Sequence, residues 1–295
     1  MNRSRLPGTP EPDRYVKGDQ DNRIAIDEWG DPSHQAVILL HGGGQTRHAW
    51  KGTGEVLADA GYYALSFDAR GHGDSDWVDN KKYEHGYMVG DLVHLIEELE
   101  LNKPVLVGAS MGGMVSMAAL GEKAIDASAL VLVDIAPTIE VEGAHRVLDF
   151  MRQGAQGFDS LEEVAEAIAG YQPQRERPRN LDGLAKNVRR GEDGRFYWHW
   201  DPEYISEKRE VGRYQEGFRE IARNLDIPAL LVRGGLSDVL SEEGAQDFLD
   251  LCPHAEYANV TEAAHMVAGD RNDIFTAAVV DFLGRKMSTH RSKQE

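Results

Sequence analysis

One cysteine, Cys252, stands in a chain of 295 residues, so no internal disulfide can form and no cysteine-rich zinc site can be assembled. Cationic residues are also in short supply: 32 Lys and Arg face 50 Asp and Glu, leaving a formal charge of −18. A field of that sign repels nucleic acid and anionic membrane surfaces, so the expected partner is a small molecule and neither of those. No apolar run approaches the ~18 residues that a membrane helix needs. The N-terminal MNRSRLPGTPEPDR carries basic residues without the apolar stretch of a secretory signal, and a cytoplasmic location is expected. Metal-ligand spacings such as H-E-x-x-H are missing, and FDARGHGDSD (67–76) lacks the third glycine of a dinucleotide fingerprint. No metal and no cofactor is expected. That stretch reads as a structural turn whose Arg70 and Asp74 enter ion pairs.

What the chain does contain is a series of short, nearly continuous runs of β-formers: AVILL (36–40), YYALSFD (62–68), PVLVG (104–108), ALVLVD (129–134), PALLVRG (228–234) and the weaker AEYANV (255–260). Runs without alternation mark strands buried on both faces of a parallel sheet. RIAIDEWG (23–30) instead alternates, as a half-exposed antiparallel strand does. Between the runs lie segments of helical period, such as YMVGDLVHLIEELEL with Met88, Leu92, Leu95, Ile96 and Leu99 on one face. The pattern predicts an α/β fold with a doubly wound, mostly parallel sheet. It breaks once, between Pro137 and Gln215, where helical fragments, QPQRERPRN and the aromatic RFYWHWDPEY replace the strand runs. An insertion of about eighty residues is too long for a connection and predicts a helical cap, 137–215, placed after the sixth strand. The core domain is then 1–136 with 216–295, of which 1–14 and 286–295 are expected to be polar, mobile tails.

In KPVLVGASMGGMVSMAAL (103–120) a buried strand runs through Gly108-Ala109-Ser110-Met111-Gly112 directly into a helix. The G-x-S-x-G spacing in that context is a nucleophile elbow, a turn so sharp that side chains at 108 and 112 would clash and the serine hydroxyl stands above the sheet. A serine hydroxyl needs a base, usually histidine, oriented by a carboxylate. Both should lie on loops after later strands. Asp238 in RGGLSDVLS and His265 in TEAAHMVAGDRND occupy such loops and complete the order Ser, Asp, His. Asp134, which ends the run ALVLVD, could also reach the histidine, and its bland reading is a loop carboxylate bonded to its own backbone. Of the other histidines, His41 is expected to make structural hydrogen bonds, His72 to cap a turn, His94 to sit on a helix face and His199 to lie in the cap. LLHGGGQTRHAW (39–50) supplies glycines after a strand, so that the Gly43 (or Gly44) amide, with that of Met111, can face a developing oxyanion.

With HGGG at 41–44, RGHGDS at 70–75, GASMGG at 108–113, GLSD at 235–238 and His265, the sequence resembles the α/β-hydrolase superfamily over nearly its whole length. The resemblance implies the α/β-hydrolase fold, a lid over 137–215, and Ser110, Asp238 and His265 as the catalytic set. Haloalkane dehalogenases and the epoxide hydrolases of this fold carry aspartate where Ser110 stands, which argues against both activities. The leading expectation is a serine carboxylesterase acting on small to medium, uncharged, lipophilic esters. A lactone or C–C bond hydrolase and a cofactor-free perhydrolase would use the same residues, and a non-catalytic receptor is the alternative of another class. The pocket is expected between sheet and cap, lined by Gly44, Trp50, Met114, Phe150, Trp198, Val239 and Met266, with His48, Met111, Phe158, Tyr197 and Trp200 as further candidates. The bland reading of the aromatic cluster is the cap's own core.

Overall fold

In the computed structural model, which describes residues 3–79, 82–171, 181–206, 214–265, 267 and 272–291, the continuous apolar runs lie side by side. Strands β1 (Arg3–Arg5), β2 (Arg14–Lys17), β3 (Arg23–Trp29), β4 (Ala36–Leu40), β5 (Tyr63–Phe67), β6 (Val105–Ala109) and β7 (Ala129–Val133) come first. After them come β8 (Val188–Gly191), β9 (Phe196–Trp198), β10 (Ala229–Gly234) and β11 (Glu256–Val260). The main sheet has the order β11-β10-β7-β6-β4-β5-β3-β2. It is parallel from β11 to β5, and β3 and β2 close the far edge antiparallel.

Two faces explain the uninterrupted hydrophobicity. Val37, Leu39, Val105, Val107, Val131 and Val232 point to one side, where they meet Leu57 of α1 (Lys51–Asp59). Phe275, Val279 and Phe282 of the last helix, α9 (Asn272–Arg291), cover the same side. Ile38, Leu40, Leu106, Leu132 and Leu231 point to the other, against Met88, Leu92 and Leu95 of α2 (His85–Glu98) and Val115 of α3 (Met111–Gly121). At ~25 cal/mol per Å² of apolar area, layers on both faces are the main source of stability.

The segment expected to form the cap follows β7, the sixth strand of the main sheet, and contains α4 (Val141–Arg152), α5 (Leu161–Tyr171) and α6 (Glu203–Ser206). Besides these helices it holds the hairpin β8–β9, and here the N-terminus departs from expectation. Residues 3–5 are not a tail: β1 pairs antiparallel with β8 and makes a three-stranded sheet with the hairpin. Helix α9 likewise runs on through 286 to Arg291. Helix α7 (Gln215–Arg223) returns the chain to the core, packing Phe218 and Ala222 inward, and α8 (Glu242–Leu251) follows β10. No described helix is long and apolar enough to cross a membrane.

A buried charge cluster joins these parts. Arg47, fully buried, donates to Asp27 (2.7 Å), Asp68 (2.6 Å) and Asp74 (2.9 Å). Burial opposes the charge on Arg47, but the three carboxylates outweigh it and hold its pKa above the ordinary value. Asp74 also meets Arg189 of β8 at 2.9 Å and Arg5 of β1 at 3.3 Å, so core, cap and N-terminal strand share one carboxylate. Arg70, as expected, is ion-paired, bidentate to Asp91 at 2.6 and 2.7 Å. Replacing Arg47 with Met would strand the buried Asp68 carboxylate and take one cationic partner from Asp27 and Asp74. The expected loss is about 3–5 kcal/mol of unfolding free energy, to be read from urea titration at neutral pH.

Candidate active site

Ser110 sits between β6 and α3 at φ 45°, ψ −111°, a conformation rare for any residue with a side chain. The turn closes because its neighbours are glycines. A methyl at 108 would stand 2.5 Å from the Gly112 carbonyl oxygen, and one at 112 would overlap the carbonyl of Leu40. Ser110 and His265 line the same cavity, about 360 Å³ in volume, between the carboxyl end of the sheet and the cap.

His265 lies after β11, and its Nδ1 is 2.7 Å from Asp134 Oδ2. A carboxylate accepts, so Nδ1 carries the proton and Nε2 of the neutral ring is left as an acceptor. Asp134 is fully buried at the end of β7, at φ 52°, and also accepts from the Gly234 amide (2.8 Å) and the Ser237 hydroxyl. Asp238, favoured from sequence, does not take this position. It lies at the surface and accepts from Arg146 of α4 at 2.7 Å, an exposed core-to-cap pair. The reason is adjacency in the sheet: β7 and β10 are neighbours, so a carboxylate after either can point toward the loop of His265. Asp134 follows its strand at once. Asp238 is four residues past β10, where Ser237 has already turned inward.

The glycine loop is held at each of its peptide planes. His41 Nδ1 donates to the Gly42 carbonyl (2.7 Å), while its Nε2 accepts from the Ala69 amide (2.9 Å). In a trans peptide C=O and N–H point in opposite directions, so this bond also directs the Gly43 N–H. His72 Nε2 accepts from the Gly44 amide (3.2 Å), with its Nδ1 on the Arg70 carbonyl (3.1 Å). His199 Nε2 donates to the Gly44 carbonyl (3.2 Å) and its Nδ1 accepts from the Gly73 amide (2.9 Å). The Gly42 amide is occupied by Gln45 Oε1 at 2.9 Å. Gly44 has φ +73°, which suits only glycine well. On the other side, Tyr204 of α6 places its hydroxyl 2.9 Å from the Met111 sulfur.

Of the pocket residues expected from sequence, Gly44, Trp50, Phe150 and Trp198 line the cavity, as do Gly43, His48 and Trp200. Met111, Met114 and Val239 do not: Met111 and Met114, both in α3, pack into and against the core, and the Val239 carbonyl accepts from the Glu140 amide. Phe158 and Tyr197 belong to the cap's interior, Phe158 edge-on to Trp198 at 5.0 Å and Tyr197 bonded to Asp193. Met266 lies outside the described residues. Sequence reasoning missed Tyr171, which stacks on Phe150 at 4.4 Å, and the pair Lys186 and Asn187. The helical period of LEEVAEAIAGY could have flagged Tyr171, but Lys186 and Asn187 lie in a stretch without a pattern.

A matching Alpha/beta hydrolase family model spans residues 37–278, and the chain belongs to that family. It is a hydrolase, and two of its relatives share most of its length. An esterase of Mycobacterium tuberculosis is 28% identical over 270 residues, 89% of this chain and 85% of that protein. A 3-hydroxybutyrate-oligomer hydrolase of Cupriavidus necator is 26% identical over 83% of this chain and 87% of its own. Among solved structures, an M. tuberculosis esterase superposes with a TM-score of 0.72 at 25% identity, covering 94% of this chain and 93% of that one. An E-2-(acetamidomethylene)succinate hydrolase reaches 0.78 at 22% identity over 92% and 98%.

Burial lowers the pKa of His41, and lowers that of His199 well below the ordinary value with help from the neighbouring His72, Arg189 and His41. Each stays neutral in the fold at a pH where the unfolded chain, titrating near ~6.5, takes up a proton. The unfolded state then binds more protons, so stability falls as pH drops below about 6.5, by up to ~1.4 kcal/mol per pH unit for each group. Urea unfolding at pH 7.5, 6.5 and 5.5 should show this slope, and His199→Gln should remove one group's share of it.

Proposed function

We propose that the chain is a serine hydrolase of carboxylic esters working through an acyl-enzyme. Ser110 attacks the acyl carbon, His265 takes its proton and delivers it to the leaving alcohol, and the Gly43 and Met111 amides hold the oxyanion. Water activated by His265 then releases the acid. Asp134, rather than Asp238, holds the imidazole in the tautomer with Nε2 free and stabilises the imidazolium. The observation carrying this reading is the juxtaposition at one cavity of a strained strand-end serine and a histidine anchored on a fully buried carboxylate. The names of the relatives favour ester chemistry over the other reactions of the fold.

The aromatic wall of Phe150, Trp198 and Trp200 and a volume near 360 Å³ suit a small to medium, lipophilic ester. One feature favours a second substrate reading. In a chain of charge −18, no Asp or Glu occurs among the described residues lining the cavity, and Lys186 does. An ester bearing a carboxylate away from the scissile bond would meet no repulsion there. Comparing p-nitrophenyl butyrate with p-nitrophenyl hemisuccinate separates the two, and Lys186→Met should raise KM about fivefold for the hemisuccinate alone if the second holds.

Fluorophosphonate labelling read by mass should fall on Ser110 and vanish in Ser110→Ala together with ester turnover. Asp134→Asn should lower kcat by roughly 10³–10⁴, while Asp238→Asn stays within about threefold of wild type because it loses only a surface ion pair. A comparable collapse in Asp238→Asn would reverse the assignment of the acid.

A further inference from the structure

We propose that the cap completes the oxyanion loop, with His199 as a positioning residue that acts through the Gly44 peptide; this rests on the reading of Ser110 and the Gly43 amide given above. Three consecutive peptide planes form the loop, and each meets one imidazole: 42–43 His41, 43–44 His72 and 44–45 His199, the last plane also tied to the first by the Gln45 amide on the Gly42 carbonyl at 3.1 Å, so that its orientation is passed on to the 42–43 plane. His41 and His72 belong to the core, and His199 alone arrives from the cap, immediately after β9. Its ring is buried and uses both nitrogens, bridging the Gly44 carbonyl and the Gly73 amide. The second bond ties it to the turn that carries His72, whose ring lies 5.9 Å from its own.

The cap segment is fastened at this place by more than His199. Arg189 donates to the Gly73 carbonyl (2.6 Å) and to Asp74 (2.9 Å), and the Asp201 amide donates to the Gly71 carbonyl (2.8 Å). Asp201 accepts from Tyr83, and Tyr204 packs edge-on against His72 at 4.7 Å while its hydroxyl meets the Met111 sulfur. Residues 189–204 of the cap therefore back both proposed oxyanion donors, Gly43 through its neighbour and Met111 through its side chain. A glycine loop has little stiffness of its own. Donors contribute to the transition state in proportion to how well they are aimed before charge develops, and a displacement near 1 Å can cost 10²-fold in rate. The part of the cap on this side is thus catalytic scaffolding.

Two substitutions separate the bonds of His199. In His199→Asn the side-chain oxygen can stand where Nδ1 stood and keep the Gly73 amide, but nothing reaches the Gly44 carbonyl. In His199→Gln the longer amide can donate to that carbonyl. With p-nitrophenyl butyrate, and rates normalised to fluorophosphonate-titrated sites, His199→Asn should lose about 10- to 100-fold in kcat with KM within twofold. Its affinity for a trifluoromethyl ketone, which forms a tetrahedral oxyanion on the serine, should fall by a similar factor. His199→Gln should recover to within about fivefold of wild type in both. Undiminished kcat in His199→Asn, or a loss of kcat with ketone affinity unchanged, would overturn the role of His199 while leaving the serine mechanism intact. Failure of the wild type itself to label at Ser110 would remove the mechanism and this role with it.

Discussion

The buried guanidinium of Arg47 is the constraint on which the rest of the molecule turns. It stands directly after the glycine loop, and its three carboxylate partners come from β3, from the end of β5 and from the 71–74 turn. Asp68 receives it twice, through the guanidinium and through the Arg47 backbone amide at 2.7 Å. Asp74 passes the attachment on to Arg189 and Arg5. Three cations against three anions leave the cluster near neutrality, the condition under which charge is tolerable in an interior. Removing any one member leaves an uncompensated charge, so the glycine loop, the turn carrying His72 and the cap strand are mutually dependent.

A second economy lies in the sheet. Ser110 and Asp134 end adjacent strands, β6 and β7, and both have positive φ, 45° and 52°. Such backbone conformations cost of order 1–3 kcal/mol each and survive only where the surroundings over-determine them. Here Ser110 donates its amide to Val133 and Asp134 donates its amide to Val232, so each kinked residue is tied to the next strand across. Both side chains serve the same place: Ser110 lines the cavity with His265, and Asp134, buried behind it, holds that ring. A rigid, doubly covered sheet makes that placement reproducible, which a loop could not do.

The sheet was legible in the sequence because burial on two faces writes itself as unbroken β-branched and leucine runs, and the serine elbow because its glycines have no other use at that turn. What escaped was whatever depended on three-dimensional adjacency. RSR at 3–5 has no apolar pattern, and it becomes a strand only because β8 offers it an edge. The hairpin β8–β9 is short and half polar, so its pairing is invisible without the partner. The choice between Asp134 and Asp238 turned on loop length: both follow strands that pair with each other, and chain order permits either. The discriminating fact is that Ser237 and the Gly234 amide already point at Asp134, giving that carboxylate donors that water would otherwise have to supply.

These features bear on what the cap does. A lid that opened as one body would break the Arg189–Asp74 pair, the His199 bridge and the Asp201–Gly71 bond together, exposing a buried cation and unpairing the Gly44 carbonyl. Each of those losses is of order 1–3 kcal/mol or more, and they share partners, so they would fall as a unit. The helices α4 and α5 are attached differently. Their link to the β10 loop includes the surface pair Arg146–Asp238, of the kind worth less than about 1 kcal/mol, and the Glu140 amide bond to Val239. Gly143 packs so tightly on the Asp238 backbone that any side chain there would overlap it, which sets where that helix rests without binding it strongly. In the cap proposed here the segment around β8, β9 and α6 is locked to the glycine loop, and α4 leans on both: Met151 lies against Gly43 and Gly44, and the Gln153 carbonyl accepts from Trp198 Nε1 at 2.7 Å, so any movement of α4 is felt at the loop that carries the Gly43 amide.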